Sequence, residues 1–191
     1  SLEGLPKKIG GFYCNHNLLT SLKGMPEIVE NSWDCNFDCS NNRLKSLDGL
    51  VARRVGDFDC SNNQITSLKF GPTETMGHYD CSFNQLASLE GAPKKVRGYF
   101  RCDHNQLRDL EGAPERISSK FNCSHNQLTS LKGAPKVVLR GFDCSHNKIE
   151  TLEGSGIEKL QGVFSCFKNS KEFTYEEVST YISKNCLPAL D

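Results

Sequence analysis

The chain has 191 residues, and its 23 Lys+Arg balance 23 Asp+Glu, so no global charge draws it toward nucleic acid or an anionic membrane. No uninterrupted apolar run approaches the ~20 residues of a membrane span, and the opening "SLEGLPKKIGGF" has no apolar signal core, which makes the cytoplasm the expected location. Ten cysteines without an export signal call for an explanation other than secreted disulfides.

Their spacing supplies it. Cys14 comes first, Cys39 follows 25 residues later, and Cys39, Cys60, Cys81, Cys102, Cys123 and Cys144 then recur every 21 residues, with Cys166 a further 22 on. The residue two before each is aromatic: Phe12, Phe37, Phe58, Tyr79, Phe100, Phe121, Phe142 and Phe164. The residue three after is asparagine: Asn17, Asn42, Asn63, Asn84, Asn105, Asn126, Asn147 and Asn169. Leu or Ile follows five and eight after the cysteine through Leu152, and most units then turn on G-x-P. Such self-similarity predicts a solenoid.

Taken in chain order, residues 1–170 form the solenoid, about eight rungs by the count of laddered cysteines. An insertion near residues 27–36 carries Trp33 and the extra Cys35, and breaks the regular wall. In the unit from Cys60 the glycine slips to Gly71 behind Phe70, so a locally different turn is expected. The last unit, "SCFKNSKEF", loses both leucines. Residues 171–191 read as a helical cap, with Thr174 as N-cap, Glu177 completing a capping box and Pro188 stopping the helix. Val178, Tyr181, Ile182 and Cys186 would give it an apolar stripe over the last rung's open edge. The N-terminal end has no such cap, and oligomerisation through it is an open expectation.

F-x-C-x-x-N-x-L fills the slots of L-x-L-x-x-N-x-L, and over residues 1 to about 170 the chain resembles the leucine-rich repeat family. That resemblance implies an α/β repeat, mostly β: a right-handed leucine-rich repeat solenoid with a parallel β-sheet on the concave face and a C-terminal capping helix. The short period, with proline on the returning side, resembles the bacterial class of these repeats. The phrasing F-D-C-S-x-N-x-L-T-S-L-E-G-A-P-K-K-V is similar to repeat proteins of tailed phages. This second resemblance implies a bacterial host cytoplasm and a role as antagonist of a host protein, for instance one of bacterial defence.

Elementary geometry agrees with the repeat. In an extended segment the aromatic and the cysteine point to one face and the residue between them to the other. Stacked rungs turn the first face into a continuous core, and asparagine serves backbone groups where the strand turns away.

The pairing of Cys102 with His104, Cys123 with His125 and Cys144 with His146 invites a catalytic or metal reading. A line of sulfurs does not converge tetrahedrally on zinc, and a buried thiol is no nucleophile. The histidine slot also holds Asn41, Asn62, Phe83 and Lys168, which no strict ligand position tolerates. Stacked imidazoles at the rim leave adventitious metal binding and pH sensitivity open. No cofactor, resident metal or enzymatic activity is expected, and no catalytic motif is found.

A partner is expected on the wall, through the side chains between the core positions. These give Asp38, Asp57, Asp59, His78, Asp80, Tyr99, Arg101, Asp103, Lys120, Asn122 and Asp143 as candidate binding residues. Six of them are acids against two bases, although the chain is neutral. Asp38, Asp59 and Asp80 would sit opposite one another, where like charges destabilise and packing alone gives no reason for them. Two readings follow: a scaffold that binds a protein, with Tyr99 and Arg101 as anchors, or a sponge that sequesters a small nucleotide signal or other small ligand. The compensating bases, among them Arg54, Lys94, Lys95 and Arg97, fall in the returning segments. That edge is the one face suited to nucleic acid, but it lacks interleaved aromatics and any matching motif.

Overall fold

The computed structural model describes residues 2, 4–6, 8–28, 35–182 and 187–189. Trp33 and Cys186 lie outside these residues, as does most of the insertion. The chain is a parallel β-solenoid. Short strands, all but the last carrying the aromatic position, align into a nine-stranded parallel wall sheet that runs from Phe12–Tyr13 through Phe100–Arg101 to Val163–Ser165 and Leu187–Ala189. The register pairs equivalent positions, Phe100 with Tyr79 on one side and Phe121 on the other. The return carries strands of its own, and six of them, from Arg54–Val55 to Lys159–Leu160, form a second parallel sheet. Among the described residues no helix is long and apolar enough to cross a membrane.

The core follows the sequence columns. Phe37, Phe58, Tyr79, Phe100, Phe121, Phe142 and Phe164 are almost wholly buried, with successive ring centroids 4.9–5.9 Å apart. The thiols of Cys39, Cys60, Cys81, Cys102, Cys123 and Cys144 are free and fully buried beside them. Several donate to the following rung, as Cys81 Sγ does to the Arg101 carbonyl at 3.1 Å and Cys123 Sγ to that of Asp143 at 3.3 Å. From the return side Val55, Val96, Ile117, Val138 and Leu160 close the core, and one position in that column is polar, Thr75.

Asparagine joins the rungs. Asn105 Nδ2 donates to the Cys102 and Asp103 carbonyls of its own rung and to the Cys81 carbonyl of the preceding one, at 3.1–3.2 Å. Its Oδ1 accepts from Leu86 N at 2.9 Å. Asn42, Asn63, Asn84, Asn126 and Asn147 repeat the arrangement. One amide thus serves backbone groups on two rungs that neither sheet reaches.

Three local expectations change. The position ten after the cysteine is left-handed in most units, as at Gly112 (φ 87°), where a Cβ would also meet the backbone of Glu90 at 2.6 Å. In the irregular unit Phe70 keeps that conformation with φ 71°. The glycine slipped but the turn did not. The C-terminal helix spans only Tyr175–Tyr181; its capping box forms as expected, Thr174 Oγ1 accepting from Glu177 N and Glu177 Oε2 from Thr174 N. Val178 and Ile182 are buried but Tyr181 is exposed, so the apolar stripe is shorter than the spacing suggested. Pro188 does not stop this helix; it lies in Leu187–Ala189, which adds to the wall beside Val163–Ser165. The last rung's edge is therefore covered by a strand, and a residue without an N–H is tolerated there because the strand is itself an edge.

Replacing Asn105 by alanine strands the Leu86 amide and three carbonyl contacts in a buried setting. Urea denaturation should show a loss of about 3 kcal/mol, against less than about 1 kcal/mol for the exposed Gln106→Ala.

Candidate binding wall

The acid column on the wall has a backbone reason. The Oδ1 atoms of Asp38, Asp59, Asp80 and Asp143 accept the amide two residues on, from Ser40, Ser61, Ser82 and Ser145, at 2.9–3.0 Å. Asn122 does the same for Ser124 at 3.0 Å. This is the Asx turn that ends each strand, and it needs an oxygen rather than a charge. The expectation that nothing local accounts for Asp38, Asp59 and Asp80 is thereby corrected. Their charges still carry a cost: burial first, and then Asp80 and Asp38, push the Asp59 carboxyl above its ordinary range against the pull of Ser61.

A second column crosses between rungs. Asn36 Oδ1 accepts from Asp57 N at 2.8 Å, Asp57 Oδ1 from His78 N at 2.6 Å, and His78 Nδ1 from Tyr99 N at 3.0 Å. Each side chain stands in for a strand bond that the two-residue strands of these rungs do not make. From Lys120 onward the strands lengthen to three residues, and backbone pairing takes over. The folded-back side chains explain two glycines: a Cβ at Gly77 would collide with the Asp57 carboxylate, and one at Gly98 with the His78 ring. The bond to Tyr99 N also makes Nδ1 the acceptor of His78. Its ring stacks on Tyr99 with centroids 3.8 Å apart and planes 12° from parallel.

The wall changes character one rung on. Where the rungs of Cys39, Cys60, Cys81 and Cys144 read Asp-Cys-Ser, this rung reads Arg101-Cys102-Asp103. Asp103 is buried, its side chain 3% exposed, and its Oδ1 accepts from Arg101 Nε at 3.2 Å and Asn122 Nδ2 at 3.0 Å. Its Oδ2 lies 3.0 Å from His104 Nδ1. Arg101 Nη1 reaches back to Asp80 Oδ2 at 3.4 Å, and Asp80 Oδ1 also takes the Ser82 hydroxyl. Two buried carboxylates thus pin one guanidinium whose outer face stays in solvent, beside the His78–Tyr99 stack. The candidate residues fall into three sets: Asp80, Arg101, Asp103 and Asn122 form this cluster, Asp57, His78 and Tyr99 the neighbouring ladder, and Asp38, Asp59 and Asp143 cap strands singly. Lys120 is exposed and joins none of the three.

The apparent thiol–imidazole sites separate into two layers. Burial pushes the Cys14 thiol up to about 12, and Cys102, Cys123 and Cys144 are raised well above the ordinary thiol range for the same reason, so these sulfurs stay protonated. The histidines occupy a left-handed position: His16, His104, His125 and His146 share φ 52–54° with Asn41, Asn62, Phe83 and Lys168. Asparagine and histidine accept that backbone more readily than bulkier residues, which accounts for their recurrence. Phe83, His104, His125 and His146 stack with centroids 4.0–4.2 Å apart. Parallel rings at this pitch aim their nitrogens alongside one another rather than at a common point. Among the described residues no group of three or more His, Cys, Asp and Glu is arranged to hold a metal ion.

The sequence columns contain the cluster's members but not their connection. The spacing shows His104 only as a rim residue, and the signal that links it to Arg101 is the paired appearance of a base and an acid on either side of Cys102. Comparison with protein-family models, with curated proteins and with solved structures gives no match.

Arg101→Met leaves Asp80 and Asp103 buried without their cation and should cost about 3 kcal/mol in urea denaturation. Arg101→Asp combined with Asp103→Ser restores the repeat's own pattern and should recover stability to within about 1 kcal/mol of the parent. A second outcome concerns pH. Burial, and then His104 and His146, hold the His125 imidazole below its ordinary range, against the opposing pull of Asp103 and Asp143. The unfolded chain takes up that proton first, so this contribution is complete above pH ~6.5 and is lost as pH falls through the folded value. Melting temperatures from pH 7.5 to 5 should decline less steeply in His125→Asn, which keeps the left-handed backbone and removes the titrating ring.

Proposed function

We propose that this chain is a non-enzymatic binding scaffold of leucine-rich repeat type that recognises a partner protein through its wall sheet. The observation that carries this reading is the Arg101–Asp103 exchange. A rung with Asp and Ser would cap its strand without burying a second carboxylate. This rung instead buries a carboxylate to hold a guanidinium in place, next to a stacked Tyr99. Arginine and tyrosine are the usual energetic anchors of protein interfaces, and a pinned guanidinium loses less freedom on binding than a mobile one. The acids of neighbouring rungs favour a partner surface rich in bases or hydrogen-bond donors.

The phrasing of the repeats supports a phage source, and with it occupation of a host protein, for instance a component of defence. Laddered thiols kept buried and protonated suit a reducing compartment, which the bacterial cytoplasm provides.

The double variant Arg101→Asp/Asp103→Ser is the informative reagent, because it keeps the fold and blanks the feature. Affinity capture from the native host, read by mass spectrometry, should recover a partner with the parent chain and lose it with this variant and with Tyr99→Ala. A partner held equally by all three, or lost only with a charge reversal on the returning sheet such as Arg116→Glu, would overturn the reading.

A further inference from the structure

The bases absent from the wall gather on the other sheet. Between the returns of three successive rungs lies an open cleft of about 430 Å³, whose lining includes Arg54, Glu74, Thr75, Lys94, Lys95 and Arg97. That volume falls within the ~300–1,000 Å³ typical of small-ligand sites. The cleft arises from one change of sequence. The middle rung has Thr73-Glu74-Thr75-Met76 where the next has Lys94-Lys95-Val96-Arg97, so shorter side chains form a trough between longer cationic ones.

Four bases face one acid there, and that acid is already engaged, Arg54 Nε lying 3.2 Å from Glu74 Oε2. Thr75 marks the same rung as irregular in the core as well. It occupies the column held by Val55, Val96, Ile117, Val138 and Leu160, is 3% exposed, and its Oγ1 has no hydrogen-bond partner. The same rung holds a second buried hydroxyl without a hydrogen-bond partner, that of Tyr79 in the phenylalanine column, so core and cleft depart from the repeat together at this rung.

We infer that this cleft binds a small phosphate-bearing ligand, with Arg54, Lys94, Lys95 and Arg97 around the phosphates. Guanidinium forks match phosphate oxygens in pairs, and the two lysines add point charge that a single carboxylate ligand would not need. The cations of the cleft continue one rung on to Arg116, the register partner of Lys95. Further along the same face Glu115 and Glu158 intervene, Glu158 pairing with Lys136 at 3.4 Å, so no continuous basic track follows a nucleic-acid backbone. The site lies on the other sheet from the proposed protein-binding wall, and neither depends on the other.

Calorimetric titration of the full chain at low salt, with inorganic tripolyphosphate, ATP and a single-stranded DNA oligonucleotide as separate probes, tests the inference. Tripolyphosphate or ATP should bind with Kd below about 100 µM and weaken at least tenfold in Lys95→Glu/Arg97→Glu, while Lys159→Glu, three strands away on the same sheet, stays within about twofold. Equal affinities for the two would make the phosphate chain the recognised group, and tighter ATP would add contacts from the nucleoside. Should the charge-reversed pair fail to fold by circular dichroism, Lys95→Ala/Arg97→Ala should weaken binding at least fivefold. The inference is overturned if neither phosphate probe binds, if binding ignores the Lys95 and Arg97 changes, or if the oligonucleotide alone binds.

Discussion

The structure rests on the reach of one carboxamide. A wall strand of two or three residues makes too few backbone bonds to hold a rung against its neighbour, and each turn that follows leaves carbonyls and amides facing a dry interior. The asparagine three after the cysteine serves both: donors to its own strand end and to the preceding one, an acceptor to the amide where the preceding rung's leucine enters the core. Leucine could fill the volume but would leave those groups unserved, at ~1–3 kcal/mol each. The aromatic and thiol columns can stack only because this bond fixes the rungs in register.

With register secured, side chains elsewhere are free to take on backbone work. Asp and Asn close the strand ends with an oxygen, and Asn36, Asp57 and His78 replace missing strand bonds across rungs. Because the wall's polarity is largely spoken for in this way, acidity by itself says little about a partner. What stands out is the rung that abandons the economical solution. Arg101 and Asp103 satisfy the same backbone less simply, and the product is an exposed cation held at two points.

The core was legible in the sequence because burial and period coincide there: Phe, Cys, Asn and Leu recur at fixed offsets, and each offset has one geometric meaning. The capping box at Thr174 and Glu177 was legible for the same reason, being a local code. What could not be read were positions where one residue type answers several demands. Histidine two after cysteine looked like chemistry and is chiefly a left-handed backbone slot. Aspartate before cysteine looked like surface charge and is a strand cap. The strands of the return, the strand at Leu187–Ala189 and the cleft beside Thr75 depend on contacts between units, which a column-by-column reading of one unit does not contain.

The bonds between rungs reach one unit and no further: asparagine to the rung before, thiol to the rung after, and both sheets from equivalent position to equivalent position. A whole unit removed between two cysteines leaves the asparagine, thiol and sheet donors of the surviving rungs facing acceptors equivalent to those they lost. Such a chain can lengthen or shorten by recombination between its own repeats without refashioning its interior. Its lineage can therefore vary the span of the wall in single steps, while point substitution writes the few exposed positions that any one span displays.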